Sequence, residues 1–252
     1  MLVIVGVGAG GFAQAEDEAS VTPYRPTVSN PAALSAPGWL EMEAGIARQS
    51  PGDGSRRTSL PYQMKYAFSP DFGILLGGDA RVMQTDAEGN GLRGAGDTQL
   101  LLKHRWGLGE GEDAPALGLE WGVKSPTARS GLGSGKTDYI VNGIYSAELG
   151  GNTWDLNLNA TRLGAWDEGS GRTQTGWATT LSRPLDARWS IAGELSGTAR
   201  RGVARETQAL FAVGYALSKR VVLDAGFAVG ASRAAADRSI FFGVSFLVEK
   251  LH

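Results

Sequence analysis

The chain lacks cysteine altogether. That excludes disulfide frameworks, thiolate zinc sites and cysteine nucleophiles. Only two histidines occur, His104 and His252, too few for a multi-histidine metal site. Charge of one sign is also missing: 24 Lys and Arg against 26 Asp and Glu leave a formal net charge of −2, which argues against a nucleic-acid binder. No run of about 20 apolar residues exists, so no helix of the usual kind can cross a membrane. Glycine, by contrast, is abundant: 37 of 252 residues, about twice ordinary usage. Mean hydropathy is −0.14. Two classes survive, a soluble all-β protein and a membrane β-barrel, whose strands alternate apolar and polar and so average to a soluble-looking value.

The first residues carry two patterns. Leu2-Val3-Ile4-Val5 followed by Gly6, Gly8 and Gly11 matches a dinucleotide-binding Gly-x-Gly-x-x-Gly. That fingerprint needs a following helix and a distal acidic strand end, and the next stretch holds Pro23, Pro26, Pro31 and Pro37 instead. The second pattern fits better: an apolar run from Leu2 to Phe12, an Ala13-Gln14-Ala15 cleavage site, then acidic Glu16-Asp17-Glu18. Residues 1–15 are therefore expected to be a secretory leader. No Lys or Arg precedes its apolar run, which suggests a shortened N-terminus. Residues 16–38 form a proline-rich segment with neither helical nor strand period. Two placements are open to it: inside a lumen as a plug, or in the periplasm.

From residue 39 to 252 the period is two. Twelve segments alternate, at 39–48, 59–68, 71–83, 97–106, 115–124, 137–148, 152–162, 173–182, 187–197, 206–217, 220–230 and 239–249. Connections after even-numbered segments are mostly short, such as Ser69-Pro70 and Gly150-Gly151. Those after odd-numbered segments are longer, for example 49–58, 84–96, 125–136 and 198–206, while 107–114 breaks the rule. An even count with short turns at one end and long loops at the other predicts an antiparallel up-and-down transmembrane barrel with both termini periplasmic. Trp39, Trp106, Trp121, Trp154, Trp166, Trp177 and Trp189 fall mostly near segment ends, as interfacial girdles require.

Several stretches resemble a bacterial outer-membrane family labelled transporter of the meta-pathway of phenol degradation. They are Pro26-Thr27-Val28-Ser29-Asn30-Pro31, Pro37-Gly38-Trp39-Leu40-Glu41, Gly94-Ala95-Gly96-Asp97-Thr98, Lys124-Ser125-Pro126-Thr127, Gly131-Leu132-Gly133-Ser134-Gly135-Lys136-Thr137-Asp138-Tyr139, Leu223-Asp224-Ala225-Gly226 and Phe242-Gly243-Val244. The resemblance spans roughly 23–250. It implies an outer-membrane barrel with a transport role for small, hydrophobic or aromatic compounds, and it carries over no binding residues.

Enzymatic motifs fail on inspection. Gly131 to Thr137 lacks the first glycine of a phosphate loop and leads into a strand pattern rather than a helix. The spacing of a membrane hydrolase with His and Ser two apart is not met, because Arg105 and Trp106 follow His104. No catalytic residue, cofactor or metal site is expected. The functional candidates are the charges on the second face: Glu41, Glu43, Lys65, Asp79, Arg81, Lys103, Arg105, Glu120, Lys124, Asp138, Glu148, Asp155, Glu194 and Asp224. On lipid such charges cost several kcal/mol, so they mark a lumen. There they would set ion preference or pair across strands and fill the interior. In segment 71–83, Asp79 and Arg81 are assigned inward, Ala80 and Val82 outward. The sequence thus predicts a channel passing small solutes through a charged lumen, or else a closed structural or surface-interaction barrel; a third alternative, an outer-membrane lipid-modifying enzyme, would need a Ser or acid partner within hydrogen-bond reach of His104. Expected partners are outer-membrane lipid, a small-molecule solute and lipopolysaccharide, whose phosphates Arg200-Arg201-x-x-x-Arg205 would meet. Nothing fixes the oligomeric state.

Overall fold

The computed structural model describes residues 19–111 and 114–251; the leader assigned to 1–15 and His252 lie outside the described residues. It contains strands and turns, and no helix among the described residues. Thirteen strands follow in order: β1 (Trp39–Ser50), β2 (Arg56–Ala67), β3 (Phe72–Thr85), β4 (Gly91–Gly94), β5 (Thr98–Gly107), β6 (Ala116–Ser125), β7 (Asp138–Glu148), β8 (Thr153–Arg162), β9 (Thr173–Pro184), β10 (Trp189–Arg200), β11 (Val203–Ser218), β12 (Val221–Gly230) and β13 (Arg238–Lys250). Each barrel strand pairs antiparallel with its neighbours, and β1 pairs with both β2 and β13, which closes the ring. β4 is a four-residue flap on the long-loop end of β3. Without it the barrel has the twelve strands expected.

Alternation dictates the two faces. In β1, Glu41 and Glu43 are buried while Met42 and Ile46 point away from them. Around the ring Ile46, Leu100, Val141, Leu158, Phe211 and Phe242 are 43–60% exposed. A continuous apolar exterior of this kind is a liability in water and a requirement in a bilayer. Aromatic groups gather at the short-turn rim. His104 stacks on Trp106 with ring centroids 4.3 Å apart, Phe68 stacks on Phe72 at 5.9 Å, and Trp189 meets Tyr215 at 4.6 Å. His104 also contacts the Arg105 carbonyl through Nδ1 at 2.9 Å, so it belongs to this belt. Trp39 departs from the girdle expectation: it is buried with Val21 and Leu247.

Two features of the long-loop end differ from expectation. The stretch 198–206 is not a loop. β10 runs to Arg200 and β11 begins at Val203, leaving a tight turn in which Gly202 has φ +74°. Hairpin pairing satisfies the backbone beyond the membrane, so the strands simply continue. The second feature is a β-bulge. Leu60 pairs with Arg81 and Pro61 with Asp79, so Ala80 is the unpaired extra residue. A bulge shifts alternation by one. Asp79 stays inside, as expected, but Val82 is fully buried and Arg81 is exposed beside Leu60 on the outer face. Arg81 is therefore not a lumen residue.

Because the native chain has no cysteine, single cysteines report cleanly on this bulge. In detergent-solubilised protein, R81C is expected to react with a bulky maleimide at the rate of an exposed thiol, and V82C to resist it. The reverse order would mean that alternation runs unbroken through Ala80.

Candidate functional site

Residues 19–37 supply the site's other half. They form no strand beyond an isolated bridge at Pro37, so their amide groups need partners from elsewhere. The inner-wall side chains provide them. Thr22 N donates to Glu41 Oε2 at 3.1 Å, Tyr24 N to Glu43 Oε1 at 2.7 Å and Arg25 N to Glu43 Oε2 at 3.2 Å. Val28 N and Ser29 N both donate to Glu194 Oε2 at 2.8 Å. Asn30 N donates to Asn157 Oδ1 at 3.0 Å and Ala32 N to Ser146 Oγ at 2.8 Å. Carbonyls are used as well: Lys65 Nζ donates to Thr22 O at 2.5 Å and Lys103 Nζ to Pro31 O at 2.6 Å. These bonds reach strands on every side of a closed ring, so the segment lies within it.

Buried charges form two clusters around Tyr24. Lys65 Nζ sits 2.7 Å from Glu41 and 2.6 Å from Glu43. Lys103 Nζ sits 3.0 Å from Glu120 Oε1 and donates to Tyr24 Oη at 2.9 Å. Both ammonium groups lie over the Tyr24 ring, at 3.8 and 4.1 Å from its centroid, a favourable contact worth about 2 kcal/mol when desolvated. Glu41, Glu43, Lys65, Lys103 and Glu120 are at most 2% exposed. Burial on this scale is tolerable only because each charge is paired and hydrogen-bonded.

The remaining candidates are spread over the wall and its two ends. Asp224 receives a two-pronged contact from Arg25, with Nε–Oδ2 and Nη2–Oδ1 both 3.3 Å. The Arg25 guanidinium rests on bare backbone: a Cβ at Gly243 would lie 2.4 Å from its Nε, and one at Gly45 2.5 Å from Nη2. Asp155 accepts from Ser146 Oγ. Lys124 bridges Asp97 at 2.7 Å and Asp138 at 3.0 Å nearer the long loops, and Asp79 pairs with Arg57 at 3.1 Å. Arg105 and Asp71, 3.7 Å apart, lie at the short-turn rim. Glu148 accepts from Thr153 Oγ1 at 2.6 Å at that same end. Of the fourteen candidates, Arg81 alone leaves the inner face.

Sequence reasoning missed Tyr24, Arg25, Ser29, Asn30, Asn142, Asn157 and Thr180. Asn142 and Asn157 shared the polar face of their strands, and that phase could have nominated them. Asn142 Nδ2 reaches Glu120 Oε2 at 3.0 Å and Asn157 Oδ1 at 2.9 Å, and Asn30 Nδ2 also donates to Glu120. Tyr24 and Arg25 lie in an aperiodic segment with no such signal.

Two cavities flank the crossing chain at 25–31. One, on the long-loop side, has a volume of about 480 Å³ and touches Arg57, Asp79, Gln99 and Lys124. The other, about 330 Å³, faces the short turns and is bounded by Pro23, Ser190, Ala192, Ala212 and Gly214. Arg25 and Thr27 border both. The wall from β10 to β13 carries small inward residues there, while β2, β5 and β6 carry Lys65, Lys103 and Glu120. The short-turn cavity therefore lies against the small-residue wall, and the long-loop cavity lies against β2, β3, β5 and β6.

Against this geometry, comparison with solved structures is informative. The COG4313 outer membrane channel from Pseudomonas putida F1 superposes with a TM-score of 0.68 at 14% identity, over 86% of this chain and 98% of that one. The NanC porin gives 0.57 at 10% identity, over 83% and 100%. The fold is that of outer-membrane channel barrels. The CymD monoaromatic hydrocarbon channel is similar too, at 0.53 and 9% identity, over 86% and 90%. No protein-family model and no curated protein sequence matches the chain.

The paired burial makes one clear demand. K103M, which leaves Glu120 unpaired in the interior, is expected to lower barrel stability by about 3–5 kcal/mol. K103M/E120Q should recover much of that loss. Denaturant unfolding followed by gel mobility measures both, and a K103M variant as stable as the native protein would show that the pair is not confined.

Proposed function

We propose that the protein is a narrow outer-membrane channel for small solutes, with residues 19–37 as a lumen plug that controls passage. The observation that carries this reading is the pair of cavities on either side of one crossing strand of chain, meeting at Arg25 and Thr27. Their volumes fall within the roughly 300–1,000 Å³ of small-molecule sites. The Arg25–Asp224 contact is the partition between them, and the small-residue wall of β10 to β13 is the route past it. The lumen charges then act in two ways. Glu41, Glu43, Lys65, Lys103, Glu120, Asp155 and Glu194 fix the plug, and Asp79, Lys124, Asp138 and Asp224 border the path and select what enters. Glu148 and Arg105 lie at the periplasmic mouth.

The resemblance to the phenol-degradation transporter family, together with the monoaromatic hydrocarbon channel among the similar structures, supports small aromatic compounds as cargo. The exterior partner is outer-membrane lipid. A barrel that never conducts is the competing reading, and the hydrogen bonds to both Glu43 oxygens, from Tyr24 N, Arg25 N and Lys65 Nζ, favour it.

Liposome swelling decides between them. Native protein is expected to admit small neutral and aromatic solutes slowly. R25A and D224A should admit them severalfold faster, and G243A should behave like R25A because its methyl group displaces the guanidinium. If all four proteins are folded by heat-modifiable gel mobility and none admits solute, the barrel is closed and the channel reading fails.

A further inference from the structure

The bulge at Ala80 places Arg81 among three other outward arginines. On the outer face at the long-loop end, Arg48 stands opposite Ile240 on β13 and Thr58 on β2. One step further from the membrane centre lie Arg238, opposite Ser50, and Arg56, opposite Thr85. One step closer lies Arg81, opposite Leu60. From strand spacing, Arg56 and Arg238 are each about 8 Å from Arg48 between Cα atoms, and Arg81 about 12 Å. All four are exposed, and no ion pair among the described residues involves any of them. Arg48, Arg56 and Arg238 line one cleft of about 490 Å³ beneath the 51–55 loop, with Asp237 as its single carboxylate. Directly below is the apolar exterior: Ile46, Leu60, Ile240 and Phe242 are 37–57% exposed.

Four cations immediately above a lipid-facing belt, in one sector of four adjacent strands, need a counter-charge at the depth of the lipid headgroups. Arginine matches phosphate geometry with parallel N–H donors, and basic clefts at membrane boundaries recognise phosphorylated headgroups. We propose that this patch on β13, β1, β2 and β3 binds the phosphates of an outer-leaflet lipid, the bisphosphorylated lipid A of lipopolysaccharide. The Arg200–Arg205 stretch is less suited: it is a strand–turn–strand, and Arg200 Nε is buried. The inference rests on the barrel spanning the outer membrane with its long loops outward, and it is independent of whether the lumen conducts.

Binding of purified lipid A to the full-length protein in detergent tests it. The R48A/R238A variant is expected to bind bisphosphorylated lipid A about tenfold more weakly, the loss of two charge-assisted contacts, and R81A to weaken it to a lesser degree. R48K/R238K should recover part of the affinity. R162A, which removes an outward arginine on β8, is the control and should leave binding unchanged. Heat-modifiable gel mobility confirms that each variant is folded. Equal weakening by R162A and R48A/R238A would overturn the proposal in favour of diffuse attraction by the whole rim. Full displacement by millimolar inorganic phosphate would overturn it in favour of a free-anion site. Unchanged affinity in R48A/R238A would also overturn it.

Discussion

The hydrogen bonds between inner-wall carboxylates and the backbone of residues 22–32 are the constraint on which the rest of the structure depends. A twelve-stranded ring encloses more space than its own side chains fill, and this one lines that space with charges. Glu41, Glu43 and Glu194 have no strand partner able to satisfy all their oxygens. A chain with no strand pairing along most of its length has amides in need of acceptors. The amides bond Glu41 Oε2, both Glu43 oxygens and Glu194 Oε2, and the match fixes the segment's path: up along β1, across to β10 and β9, then to β8 and β7 and back toward β2. Lys65 and Lys103 complete the arrangement by neutralising the carboxylates and gripping Tyr24 from the wall.

The same wall is asymmetric. Long charged side chains crowd the sector from β1 to β6, around Tyr24. Ala192, Ala212, Gly214 and Gly243 leave the opposite sector thin. Glycine thus has a specific use here. Gly45 and Gly243 form the floor on which the Arg25 guanidinium lies flat beside Asp224. The outside of the barrel obeys different physics, with apolar residues on alternate positions and aromatic rings at the short-turn rim. One extra residue in β3 is enough to transfer an arginine from the inner set to the outer one.

Much of this was legible in the sequence. Period-two alternation located all twelve barrel strands, because an apolar exterior against a charged interior leaves a strong signal in segments such as Leu40–Ile46 and Leu117–Val123. Inward charges followed from the same phase. The failures have physical causes. Ala80 is one residue among many alternating ones, and a bulge has no compositional signature at that position, so Arg81 and Val82 were assigned to the wrong faces. The loop at 198–206 is polar and charged, yet hairpin pairing continues through it. The course of residues 19–37 was invisible for a deeper reason: its amides bond side chains on other elements, from Glu41 and Glu43 nearby to partners more than a hundred residues away, as with Ser29 and Glu194. Periodicity cannot encode a partner at that distance, and the proline content says only that the segment is not regular.

The central claim is that this segment lies inside the barrel and governs what passes. Ser29 Oγ and Thr180 Oγ1 are 2.5 Å apart, close enough for a disulfide when both are replaced, and no native cysteine competes. The most direct measurement is therefore oxidation of S29C/T180C in folded protein, with solute uptake followed before and after reduction. The account predicts near-complete cross-linking, uptake at its minimum in the oxidised form, and a return to the uncrosslinked rate once the bond is reduced. Failure of the cysteines to join in protein that is demonstrably folded, or uptake indifferent to the cross-link, would contradict it.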